Sequence, residues 1–210
     1  MTSTPRAPRT RKTAEERRSD IVRTAGRLAL ERGLERVTMQ LVADELGVRP
    51  GLISYYFATV DDLLCEAFVR AVGRERAALL PEADAALPPV RRLARLLHRL
   101  NGEEFTDLGR LWLNARHLAR YRPGLGRAVA EQEAIMRDAL TEVIEDGVRS
   151  GDFTTADPLG ACVVLLVAID GLGAYANDPS PFAHPALDTL VFTTAERELG
   201  LAEGTLRHAG

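Results

Sequence analysis

Lysine is almost missing from this chain of 210 residues: Lys12 is the only one among 27 basic residues. That arginine bias reads as coding bias rather than function. Cysteine is nearly as scarce. Cys65 and Cys162 stand in apolar surroundings, far apart, with no second Cys or His close by in sequence. This excludes a disulfide framework and a zinc site and suits a reduced intracellular protein. Aromatic residues make up 5% of the chain. The longest uninterrupted apolar run, Ala161 to Ile169, is short of the roughly 20 residues that span a bilayer. The basic N-terminus is not followed by an apolar segment, which argues against a secretory signal. No Gly-x-Ser-x-Gly, phosphate loop or His-Glu-x-x-His occurs, so nothing points to an enzyme, a cofactor or a catalytic residue. The expectation is a cytoplasmic protein that does not enter the membrane.

A net charge of −3 would by itself argue against a nucleic-acid partner, but its distribution reverses the argument. Residues 1–57 hold 11 Arg and Lys against 7 Asp and Glu, whereas the remainder holds 16 against 23. A basic head on an acidic body is what a DNA-binding domain with a separate partner domain would carry.

Residues 1–12, MTSTPRAPRTRK, have no apolar periodicity and read as a disordered basic arm. The arm is either a solvated tail or a supplementary contact to phosphates and the minor groove. Thr13-x-x-Glu16 is a capping box that starts the first helix, with Ile21, Ala25, Leu28 and Ala29 as its apolar stripe and Gly33 as its end. The stretch from Thr38 to Phe57, TMQLVADELGVRPGLISYYF, then reads as two short helices joined at Gly47. Ala43 is small where the second helix would cross, and Gly47 takes the turn, where a positive φ costs glycine little. Val42, Leu46, Val48 and Ile53 supply the apolar contacts between them. This is helix-turn-helix spacing, with the second helix, about Pro50 to Tyr56, free to enter a major groove. Thr59-x-x-Asp62 caps a further helix running to about Leu80, with Asp61 and Asp62 favouring its N-terminal dipole.

These residues resemble the N-terminal domain of the tetracycline-repressor (TetR) family. The resemblance covers Thr13 to Phe68 and rests on Thr38, Ala43, Gly47-Val48, Tyr55-Tyr56-Phe57, Asp61-Asp62 and Leu63. It implies an all-α protein: a three-helix, homeodomain-like DNA-binding head at 13–59, a connecting helix at 60–80, and a helical-bundle body for ligand binding and dimerisation at 81–200. About nine helices are expected. The DNA-contact set is Thr38, Arg49, Pro50, Gly51, Leu52, Ser54, Tyr55, Tyr56 and Thr59. Arg49 can meet a guanine edge bidentately or hold a phosphate. Of the two tyrosines, Tyr56 is the better candidate for core. Three positions depart from the family pattern: Arg49 stands where a Ser or Thr cap is usual, Leu52 where a small or polar residue is commoner, and Val60 where a lysine often contacts phosphate. An atypical operator, read partly by apolar contact, follows from them.

In the body, Pro89 to Leu100 alternates apolar Val90, Leu93, Leu96, Leu97 and Leu100 with Arg91, Arg92, Arg95 and Arg99. Its basic face is either a second nucleic-acid surface or, the better reading, a solvated face paired with body acids. Helices are expected at about Glu103 to Ala119, then Leu125 to Arg149 after a break at Pro123-Gly124. Others follow from Leu159 to Ala176 and from His184 or Pro185 to Leu199, with a frayed tail from Gly200. The helix ending at Ala176 is apolar nearly all round and should be buried on every side, in part by a second subunit.

The segments WLNARHLARYRPGL and LLVAIDGLGAYA resemble the BetI-like branch of the same family. That resemblance implies a homodimer built on the last two long helices (about 158–176 and 184–199) and a pocket inside each body. Candidate pocket residues are Phe105, Trp112, Arg116, His117, Met136, Asp170 and Tyr175. Asp170 interrupts an apolar run, and a buried carboxylate costs several kcal/mol unless paired. It therefore needs a protein partner, a cationic ligand or an exposed position. The implied function is a ligand-responsive repressor that binds double-stranded operator DNA and is released by a small-molecule effector.

Overall fold

The computed structural model describes residues 12–100, 102, 106–176 and 184–210. Ten α-helices and two single 3₁₀ turns make up the regular structure of those residues. The basic arm up to residue 11 and the candidate pocket residue Phe105 lie outside the described residues.

The head begins as its sequence dictates. Thr13 caps α1 (Ala14–Arg32), its hydroxyl accepting from Glu16 N–H while the Glu16 carboxylate accepts from Thr13 N–H. Ile21, Ala25 and Leu28 are fully buried. Gly33 ends the helix, and an unexpected 3₁₀ turn, Leu34–Arg36, follows it and buries Leu34. Then come α2 (Met39–Leu46), α3 (Pro50–Tyr56) and α4 (Val60–Leu79). Helix α4 is both the last helix of the head and a wall of the body, packing on α1 on one side and on α7 on the other.

In the body, α5 (Pro89–Leu100) buries Leu93, Leu96 and Leu97. Three of its four arginines are paired, and the fourth, Arg91, stands exposed: Arg92 donates to Asp146 at 3.0 Å and Arg95 to Asp84 at 2.8 Å, while Arg99 Nη2 lies 2.7 Å from the second Asp84 oxygen. Pairing with body acids, not an exposed basic surface, is therefore the state of that face. Helix α6 (Thr106–Ala119) leads to α7 (Pro123–Ser150), then α8 (Pro158–Ala176) and α9 (Pro185–Leu199).

Two expectations need correction, the start of α7 and the tail. The break between α6 and α7 falls at residues 120–122, and Pro123 occupies the first turn of α7 rather than lying before it, where a missing N–H costs nothing. The apolar run Ala161 to Ile169 lies inside a longer apolar helix, α8. The helix is 19 residues long, and Pro158–Tyr175 has a mean hydropathy of 1.8, so by length and composition it could cross a membrane. One side of α8, with Ala161, Cys162 and Leu165, packs on α6, α7 and α9, while Leu159, Val163, Val164 and Val167 stand exposed in the single chain. The tail is not frayed. After Gly200 it forms α10 (Thr205–His208), because the buried Glu196 carboxylate accepts from Gly204 N–H at 3.0 Å and Leu206 N–H at 2.8 Å, and Leu206 is fully buried.

Candidate DNA-binding face and interior cavity

The turn between α2 and α3 is made by Gly47 at φ 63°, ψ 38°, with its N–H directed back to Ala43 and Asp44 carbonyls. This left-handed geometry is open to glycine and costly for a residue with a Cβ. Ala43, Val42 and Ile53 are fully buried where α3 crosses α2. The anchored side of α3 leaves its other side empty. Arg49, Pro50, Gly51, Ser54 and Tyr55 are exposed, as are Thr38 and Thr59, whereas Leu52 and Tyr56 are half-buried. Tyr55 is 79% exposed and meets the Tyr56 ring edge-on at 5.1 Å. Arg49 is the N-cap residue of α3 but supplies no side-chain cap bond, so its guanidinium is not spent on the helix.

Two hydroxyls of the set already have work in the fold. Thr38 Oγ accepts from Leu41 N–H at 3.1 Å. Thr59 Oγ accepts from Asp62 N–H at 3.1 Å and donates to the Asp62 carboxylate at 2.8 Å. Each sits at a helix N-terminus, where exposed N–H groups favour an anion. The three helices of the head therefore present exposed donors around α3, on a scaffold fixed by apolar contacts behind it.

The body contains a cavity of about 800 Å³. Trp112 and Arg116 reach it from α6, Glu133 and Met136 from α7, Leu166 and Asp170 from α8, and Val72 and Arg76 from α4. Its walls are mainly aliphatic, with a few convergent charged groups, as small-molecule sites are. The polar centre is Arg116. Its Nε donates to Glu133 Oε1 at 2.7 Å, its Nη2 lies 2.9 Å from Asp170 Oδ2, and its guanidinium stands over the Trp112 ring, 5.2 Å from the centroid. Burial pulls the Arg116 pKa down, but Asp170 and Glu133 outweigh it, so the net shift is upward and the group stays charged. Asp170 thus has its partner. Arg76 donates to the side chain of the buried Gln132 at 2.8 Å. Trp112 also meets Phe68 of α4 edge-on, with centroids 5.1 Å apart.

Of the candidate pocket residues, Trp112, Arg116, Met136 and Asp170 come together at this cavity. His117 and Tyr175 are not among its walls. His117 is exposed and faces the Tyr121 ring at 5.8 Å, because one step along a helix turns a side chain by 100° from its neighbour Arg116. Tyr175 is 51% exposed. Reading the sequence missed Arg76, Val72 and Glu133. Glu133 was within reach of pattern reasoning, since it lies three residues before Met136 on the same helical face. Arg76 was not, because α4 reads as a plain connecting rod. Both thiols are pushed up, mainly by burial, which disfavours the thiolate form.

Residues 21–67 match the family profile of bacterial regulatory proteins of the tetR family, and residues 89–200 match that of the BetI-type transcriptional repressor C-terminal region. No curated protein matches the sequence. Among solved structures, a transcriptional regulator from Saccharomonospora viridis, crystallised in complex with choline, superposes with a TM-score of 0.77 at 24% identity, covering 88% of this chain and 98% of that one. A TetR-family regulator from Rhodococcus sp. gives 0.74 at 22% identity, covering 88% and 99%. A TetR regulator from Haloarcula marismortui gives 0.73 at 26% identity, covering 89% and 97%.

Proposed function

The chain belongs to the TetR family of transcriptional regulators, with a BetI-type C-terminal region, and from that premise we propose how it reads DNA and what releases it. As a member of that family it is a ligand-responsive DNA-binding regulator. In our reading it is a cytoplasmic repressor whose head, residues 13–59, places α3 in a major groove. Arg49, Pro50, Gly51, Leu52, Ser54, Tyr55 and Tyr56 face the DNA there, while Thr38 and Thr59 meet phosphates. The observation that carries this is α3 itself, anchored by Ile53 on one side and bare on the other.

The working unit in this reading is a homodimer through α8 and α9. The exposed side of α8, with Leu159, Val163, Val164 and Val167, is apolar surface that a second copy would cover. Two heads would then take half-sites about one helical turn apart, roughly 34–36 Å. The effector in this reading is an organic cation of choline's chemical class. Two things support it: a neighbour of the same fold is complexed with choline, and this cavity sets a tryptophan beside two carboxylates, the groups that attract such cations.

The test uses a duplex from the gene's own promoter region. Binding should weaken steeply with salt, give a two-fold symmetric footprint, and be reversed by choline. A protein that stays monomeric and binds no such duplex would overturn the reading.

A further inference from the structure

We propose that Arg116 is a resident occupant of the cation seat, and that an effector acts by displacing it; this rests on the organic-cation reading above. An aromatic face and converging carboxylates make up a recognition set for an organic cation. Here all three members, Trp112, Glu133 and Asp170, are already engaged by one guanidinium, over the ring at 5.2 Å and on the carboxylates at 2.7 and 2.9 Å. Arg116 holds one oxygen of each carboxylate and one face of the ring, so a second cation seated there competes with it. The exchange is neutral in charge: one positive group leaves the seat and another takes it. The cavity gives the side chain room to swing, and the Arg116 side chain is already 34% exposed, so the freed guanidinium is rehydrated readily.

The exchange also has a structural consequence. Arg116 ties α6 to α7 through Glu133 and to α8 through Asp170. A small cation such as choline would hold the two carboxylates and touch α6 only through the face of the Trp112 ring, without the bonds by which Arg116 ties α6 to Glu133 and Asp170. Helix α6 bears Trp112 against Phe68 of α4, and α4 runs into the head. Release of Arg116 therefore loosens α6 at the point where the body bears on the rod to the DNA. It also makes affinity a difference between two cations, so the resident arginine sets the threshold concentration of the effector.

The test compares the full-length protein with R116Q and with R116M, which keeps an unbranched side chain should R116Q fail to fold. Trp112 is the single tryptophan, so its fluorescence reports events in the seat directly. Choline is titrated into each protein, free and on its operator duplex. We expect a fluorescence change in the wild type on choline binding, and choline binding at least tenfold tighter in the variant. The choline midpoint for operator release should fall in step. Equal or weaker choline binding by a cooperatively unfolding variant, with choline still bound by the wild type, overturns the displacement proposal and leaves the organic-cation reading standing. Failure of choline and tetramethylammonium to bind either protein overturns both.

Discussion

At the scale of single residues, two charged groups make opposite kinds of prediction. Asp84 is 6% exposed and holds Arg95 and Arg99 of α5. Burial would raise its pKa, but bonds from Arg99 and Arg95 prevail and the net shift is downward. An unfolded Asp titrates near 3.9, and the folded group lies below that. Its contribution is therefore full above the unfolded value and is lost as pH falls through the folded one. Asp84→Ala should lower stability by about 1–3 kcal/mol at pH 7, because two guanidinium groups lose their partner. Denaturant melts should show that gap closing below pH 4. Arg49 is the contrary case, with no bond in the fold that requires it. Arg49→Ala should leave the melting temperature within a degree or two and weaken operator binding by about 1–3 kcal/mol. A salt titration identifies its partner: a slope smaller by about one marks a phosphate, and a loss confined to one base pair marks a guanine. Arg49 was legible in the sequence because exposed charge at a helix start needs no tertiary knowledge. The Arg95, Arg99 and Asp84 cluster was legible only as a class, since pairing between positions 11 and 15 apart depends on how the chain folds back.

At the scale of elements, sequence signals worked where the chemistry is local. The capping boxes at Thr13 and Thr59, the glycine at position 47 and the proline at the start of α3 all act within one turn, and those boundaries were read to within a residue. Signals failed where one element depends on another. Pro123 looks like a breaker unless one knows that the chain has just turned, and then it is a helix start. The tail after Gly200 looks polar and short. It is held by Glu196, whose carboxylate is buried for that purpose and gave no sign in sequence beyond one more acid in α9. Glu196→Ala should cost about 2 kcal/mol through two unsatisfied N–H groups, and hydrogen exchange should speed up in residues 200–210 before anywhere else. The turn itself gives a cleaner measurement. No atom lies within 4 Å of a Cβ added at Gly47, so Gly47→Ala meets no clash and should cost only the backbone term, about 1–2 kcal/mol. Ile53→Ala, which empties a fully buried position between α2 and α3, should cost about 2–5 kcal/mol. If Gly47→Ala proved the more damaging of the two, the head would be held by its turn rather than by its packing.

At the scale of the whole molecule, what matters is how an event in the cavity reaches α3. Three routes lead from α6 toward the head. One is the Trp112 contact with Phe68, midway along α4. Another runs off the end of α6 through Arg122, which is paired with Asp61 in the first turn of α4, two residues beyond the proposed phosphate contact at Thr59. The third is the direct packing of α6 on α1 and on the Leu34–Arg36 turn. Helix α4 is also tied to α1 by Arg18 and Glu66, with a 2.6 Å hydrogen bond, so a pull on its start moves the head as a unit. Partly exposed pairs contribute little stability, about 0–1 kcal/mol. Arg122→Gln should accordingly fold normally, and the effector-free protein should keep its operator affinity. What it should lose is coupling. If choline weakens operator binding by a given factor, operator must weaken choline binding by that same factor, because the two describe one thermodynamic cycle. In Arg122→Gln both factors should shrink together, by about threefold or more, while choline binding to the DNA-free protein stays within twofold. A dimer-interface change gives the contrast. Val164 is exposed on α8 and is not a wall of the cavity. Val164→Glu should shift the protein to monomers in sedimentation and lower operator affinity with choline binding retained. If Arg122→Gln left both coupling factors at wild-type size, the signal would have to travel through the Trp112 contact with Phe68 or through the direct packing of α6 on α1, and Phe68→Leu separates these two: both factors fall together only if the Phe68 contact carries it.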